Sequence, residues 1–118
     1  MTTKIVERLK TGTIKHVVQF GVEKLPAPPY VVVKPEKDPL DRGTMVRIIA
    51  HFLPGQNIFL DDYINKEVFD LLDNFSAESR NGNYNTLLTE NDYNDIIIGN
   101  DDKTISKERI FLLPMIII

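Results

Sequence analysis

Two adjacent stretches, TMVRIIAHFLPG (44–55) and NIFLDDYINKEVFDLLDNF (57–75), constrain this chain more than anything else in it. In the first, Val46, Ile48, Ala50 and Phe52 alternate with Met45, Arg47, Ile49 and His51. A period of two describes a β-strand with one row of side chains in a core and a mixed row that is only partly wet. Pro54 and Gly55 stop it. In the second stretch, Leu60, Ile64, Val68, Leu71, Leu72 and Phe75 recur at helical spacing. Asp61 and Asp62 read as its first turn, where the helix dipole favours acids. A strand and a helix that each need one face covered are expected to cover each other.

The remaining segments fit around that pair. TKIVERLK (3–10) sets Ile5, Val6 and Leu9 on one helical face. Ile14, Val17 and Val18 continue the spacing past Gly12, so one interrupted N-terminal helix is expected. LPAPP (25–29) is a rigid extended connector into YVVVK (30–34), a β-branched run that reads as a strand. PEKDPLDRG (35–43) reads as a charged loop, and SAESRNGN (76–83) as the turn that ends the long helix. YNTLL, YNDIII and TISKERIFLL read as short extended segments, with GNDDK turning between the last two. The expected fold is a single α+β domain over residues 1–118. Its mostly antiparallel sheet of about four to five strands is flanked by the N-terminal helix and the amphipathic helix 57–75.

At 118 residues such a domain buries enough surface to need neither metal nor disulfide. The chain has no cysteine, which removes thiolate metal sites and thiol nucleophiles. No apolar run approaches the roughly 18 residues of a membrane span. MTTKIVERLKTG lacks a signal-peptide hydrophobic region, so an intracellular product, or one released by some route other than secretion, is expected. The net charge of −3 conceals a division. Residues 1–60 carry nine Lys or Arg against five acids, whereas residues 61–102 carry eleven acids against Lys66 and Arg80 alone. A solvated acidic face accounts for this, and so does a molecule with one positive and one negative surface suited to contacting copies of itself. Net acidity argues against DNA binding as the main activity.

Signals for catalysis are weak. His16 and His51 have no neighbouring ligand at metal spacing. GNDDK fails as a calcium loop, because Lys103 and Ile105 fall where oxygen ligands belong and the sixth position is not glycine. No phosphate-cradling or nucleophile-elbow motif occurs. Asp92, Asp95, Asp101 and Asp102 have the chemistry of acid–base pairs, but acids in polar turns are ordinarily just solvated. Arg47, on a strand, reads as an ion-pair partner rather than an anion clamp. Neither an enzyme nor a cofactor is expected.

The chain ends on FLLPMIII (111–118). Leaving Met115, Ile116, Ile117 and Ile118 wet forgoes roughly 6–12 kcal/mol of burial. That stretch is therefore expected to pack, either as a strand of its own sheet with Phe111 and Leu113 inward or against another chain.

PPYVVVKPEKD (28–38), GTMVRIIAHFLPG (43–55), DDYINKEVFDLL (61–72) and SKERIFLLP (106–114), in that order after an N-terminal helix, give a layout that resembles the tail-terminator or head-to-tail joining (neck) proteins of long-tailed bacteriophages. The likeness covers most of the chain through element order and soft patterns. It implies a homo-oligomeric ring, usually hexameric, that caps the tail tube, ends its polymerisation and joins it to the head connector. Partners would be further copies, the tube protein and neck proteins, with DNA passing through unbound and no membrane contact. The location would be the virion neck, reached from the host cytoplasm. On that reading Asp38, Asp41, Arg42, Arg47 and Met115–Ile118 contact neighbouring subunits. The 84–103 hairpin, with Asp92, Asp95, Asp101 and Asp102, faces the lumen or an adjoining ring. The alternatives are another neck ring (a head-completion adaptor or stopper) and a small cytoplasmic regulator of one protein partner.

Overall fold

The computed structural model describes residues 2–21, 24–37, 43–72, 76–79, 82–85, 87–94 and 104–114. Helix α1 (Thr2–Leu9) leads through a turn to β1 (Val17–Gln19), then β2 (Tyr30–Lys37) and β3 (Gly43–Phe52). The long helix α2 (57–72) follows, and then β4 (Ser76–Ser79), β5 (Gly82–Asn85), β6 (Leu87–Asn94) and β7 (Ile105–Pro114). Five strands form one sheet in the order β1-β2-β3-β7-β6, and β4 and β5 pair as a separate two-stranded ribbon. Only β1 and β2 run parallel; the other pairs are antiparallel. This is the expected α+β class, with both helices on one face of the sheet.

The core follows from the two stretches that opened the sequence. Val46, Ile48, Ala50 and Phe52 are all buried, while Met45, Arg47, Ile49 and His51 on the other face are half-buried. Leu60, Ile64, Val68 and Leu72 pack onto the buried row together with Ile5 and Leu9 of α1. Those helical positions repeat every four residues. In an α-helix a step of four overshoots the 3.6-residue turn by about 40°, so such a stripe would wind away from the sheet. The middle of α2, Tyr63–Glu67, is a π-helical turn between α-helical Asn57–Asp62 and Val68–Leu72. The wider turn offsets that drift and keeps all four side chains aimed at the core.

Polar contacts fasten the helices where the apolar stripe ends. Arg109 on β7 donates to the carbonyls of Ile64 (3.1 Å) and Asn65 (3.4 Å), and its guanidinium stands 5.1 Å from the Phe69 ring. Lys107 pairs with Asp61. Arg8 of α1 donates to the Leu71 carbonyl (2.9 Å), placing a cation at the C-terminal end of α2. The turn after α1 closes against Glu67, whose carboxylate accepts from the Thr13 backbone N–H (3.1 Å) and the Thr13 hydroxyl. A Cβ on Gly12 would meet Glu67 Oε2 at 2.7 Å and Leu71 Cδ1 at 3.0 Å, so a larger residue there would have to displace the ends of those two side chains.

Several expectations are corrected. The N-terminal helix stops at Leu9; His16 lies in the following turn, and Val17 and Val18 belong to a strand. Strand β2 continues through Pro35, Glu36 and Lys37, so the loop is shorter than 35–43. α2 begins at Asn57, which puts Asp61 and Asp62 beyond its first turn. SAESRNGN contributes β4 and the start of β5 rather than turns alone. Residues 73–75 of the expected helix lie outside the described residues.

Phe111 is fully buried on a strand flanked by two others, whereas Phe20 is 62% exposed. Phe111→Ala is expected to cost about 3–5 kcal/mol in urea unfolding and Phe20→Ala under about 1 kcal/mol.

Candidate protein-contact surfaces

Three surfaces remain once the core is accounted for. The first is the sheet face away from the helices. Arg47 stands at its centre, bridging Glu36 (3.0 Å) and the buried Glu108 (2.9 Å), and Lys34 holds the other oxygen of Glu36 (3.2 Å). The alternation that made Arg47 an ion-pair candidate thus ties three strands, β2, β3 and β7, through one guanidinium. The hydrogen bond it donates to Glu36 and the nearby charge of Glu108 raise Arg47 above its ordinary value despite partial burial. Burial alone would raise Glu36, but hydrogen bonds from Arg47 and Lys34 and their charges outweigh it, leaving its carboxyl below the ordinary 4.5. Beside this network the Tyr30 and His51 rings stack at 4.6 Å, and Ser106 Oγ and His51 Nδ1 share a hydrogen bond of 2.7 Å. Phe20 lies under the Lys34 ammonium (4.6 Å) and, with Leu25, partly roofs a cavity of about 370 Å³ above Val32 and Ile49.

The second surface is apolar and lies at the end of the strands where β3 finishes. Gly55, at φ +90°, turns the chain, and Gln56 closes the turn by accepting from Leu53 N–H (3.1 Å). The turn presents Leu53, Ile58 (75% exposed) and Phe59 (66% exposed). Phe59 also borders a groove of about 690 Å³, floored by Ile14, Phe52 and Tyr63 and rimmed by Asp62, Lys66 and Asp70. Desolvation and the neighbouring Glu67 charge push the Tyr63 phenol upward, so it stays protonated. Sequence reasoning passed over Ile58 and Phe59, although both fall off the 60-64-68-72 stripe and are therefore the apolar residues α2 cannot bury in its own sheet.

The third surface is the side of β1 away from β2, where Lys10, Lys15, His16 and Lys24 are exposed around a shallow groove of about 380 Å³.

The expected contact residues divide between described and undescribed positions. Arg47 is on the sheet face, and any contact it makes with a neighbour is made with two carboxylates already bound. Asp92 is on β6, an outer strand of the sheet. Asp38, Asp41, Arg42, Asp95, Asp101, Asp102 and Met115–Ile118 lie outside the described residues. Lys37 pairs with Thr44, and Gly43 with Pro114, at the end of the sheet opposite Ile58 and Phe59. Among the described residues no group of three or more His, Asp or Glu gathers as a metal site, and no helix is long and apolar enough to cross a membrane.

No family model matches this chain, and comparison with curated proteins finds no match either.

Because the Glu36 value is lower folded than unfolded, its ionised form adds stability above about pH 4.5, and that contribution disappears as pH falls through the folded value. Glu36→Gln is expected to lower unfolding free energy at pH 7 by up to about 1 kcal/mol. Urea titrations should show the gap between the two proteins closing as the buffer is taken well below pH 4.5.

Proposed function

We propose that this chain is a non-enzymatic structural subunit of a bacteriophage tail neck, a tail terminator that closes into a ring, ends growth of the tail tube and offers a surface to the head connector. The observation that carries the reading is the position of its unburied apolar surface. The core is complete without Leu53, Ile58 and Phe59, yet all three stand exposed together at one end of the strands. Covering Ile58 and Phe59 is worth roughly 3–6 kcal/mol, enough to favour a standing contact with another protein.

The ends of the strands then face along the tube axis and the sides of the sheet face neighbouring subunits. One end presents the Leu53–Ile58–Phe59 patch to the tube or an adjoining ring. Asp38, Asp41, Arg42 and the apolar Met115–Ile118 serve contacts between neighbouring subunits. Asp95, Asp101 and Asp102 supply negative charge for the lumen, where it keeps passing DNA from adhering. Termination is geometric: a closed ring occupies the tube end and leaves no polymerising surface.

The test is tube growth. Purified protein added to polymerising tail-tube subunits should arrest elongation, read as tube length by electron microscopy. The double variant Ile58→Asp/Phe59→Asp should lose the arrest while its melting temperature moves little, because both side chains are exposed. Unarrested tubes with the unmodified protein, together with a stable two-copy complex in solution, would replace this reading with that of a small regulator of one partner.

A further inference from the structure

The groove beside Phe59 holds about 690 Å³, and α2 lines it from Phe59 to Leu71. Its floor of Ile14, Phe52 and Tyr63 belongs to the core, whereas Phe59 stands 66% exposed at its edge. A side chain entering there meets carbon on several sides, as the anchor of a protein contact does. The same floor holds a hydrogen-bond donor with no acceptor. Tyr63 is 4% exposed, and its hydroxyl has no partner among the described residues. Burial and the Glu67 charge keep that phenol protonated. A buried hydroxyl left unpaired is unfavourable, and an inserted chain brings carbonyl acceptors with it.

The rim is charged, and unequally. Asp62, Glu67 and Asp70 set three negative charges against the one positive charge of Lys66, a balance of −2. Glu67 is engaged with Thr13, but that partner is neutral and cancels none of its charge. Asp62 and Asp70 are exposed, and neither has an ion-pair partner among the described residues. Asp61, one residue earlier, differs in kind, because Lys107 of the same chain pairs with it. An apolar floor under an acidic rim selects by charge: it attracts a cationic segment and repels an acidic one.

We propose that this groove takes a basic segment of a partner protein. One apolar side chain sits on the Ile14–Phe52–Tyr63 floor against Phe59, and flanking Lys or Arg side chains face Asp62 and Asp70. The inference rests on the reading of the Ile58–Phe59 end as the surface given to the tail tube, and it names the chemistry which that surface accepts.

The chain has no tryptophan, so the fluorescence of a tryptophan in a peptide reports that peptide alone. The probes are acetyl-Lys-Leu-Trp-Lys-amide and acetyl-Glu-Leu-Trp-Glu-amide, titrated in about 0.1 M salt, where exposed charges still act over about 10 Å. The basic peptide is expected to shift to the blue and saturate, and the acidic one to bind roughly tenfold more weakly or worse. Asp62→Lys/Asp70→Lys turns the rim from −2 to +2 and should reverse that order, a result that an unfolded variant could not give. Equal binding of the two peptides, an order unchanged in the variant, or no shift at millimolar concentration would overturn the inference. Loss of the peptide signal as the protein associates, with the mass of two copies by light scattering, would also overturn it by giving the groove to a second copy. Should the peptides fail while tube growth is still arrested, the groove inference falls and the neck reading stands. Should the peptides behave as expected while tubes grow unarrested, the groove chemistry stands and the neck reading falls.

Discussion

Everything else in the molecule depends on the contact between the inner row of β3 and the four-residue stripe of α2. Val46, Ile48, Ala50 and Phe52 meet Leu60, Ile64, Val68 and Leu72, and α1 adds Ile5 and Leu9 from the same side. Because β3 is followed by a turn of only a few residues, α2 has to fold straight back over the sheet. That return leaves the head of α2, with Ile58 and Phe59, at the rim of the sheet rather than over it. The exposed apolar patch is therefore a consequence of the same connection that builds the core. The π turn at Tyr63–Glu67 belongs to this constraint as well, since a stripe with a step of four stays on one face only where the helix widens.

Charge takes over where apolar contact ends. On the helix side, Arg109, Lys107 and Arg8 reach from strand or helix to α2 and fix its height and rotation. On the far side, Arg47 gathers Glu36 and Glu108 into one network across three strands. Both arrangements use cations of the chain to hold acids or carbonyls of the same chain. At the rim of β1, Lys15 likewise donates to the Lys10 carbonyl (3.1 Å).

The long elements were legible in the sequence because their periods are unambiguous. β3 alternates cleanly over its length, β7 and the start of β2 are rich in β-branched or apolar residues, and α2 carries a sustained stripe. What escaped was short or polar. Val17 and Val18 mimic helical spacing with Ile14, and a three-residue strand is too brief to display a period of two. Pro35 argued for a loop, yet β1 covers β2 only as far as Val33, so proline sits where β2 has no outer neighbour among the described residues. Apart from Tyr84, SAES and GNYN lack strand formers, and they become strands through pairing with each other. Of the candidate contact residues, the role of Arg47 as an ion-pair partner could be read from its place on the mixed row. The exposure of Ile58 and Phe59 was implied by the helical stripe, but only relative to a sheet whose boundary the sequence does not mark.

We propose that this fold closes on itself through repeated copies. Electron microscopy of the purified protein at high concentration measures that most directly. Class averages should show closed rings of one size with rotational symmetry and an open centre. Two-fold particles without a central opening, or particles no larger than a single chain at every concentration, would contradict it.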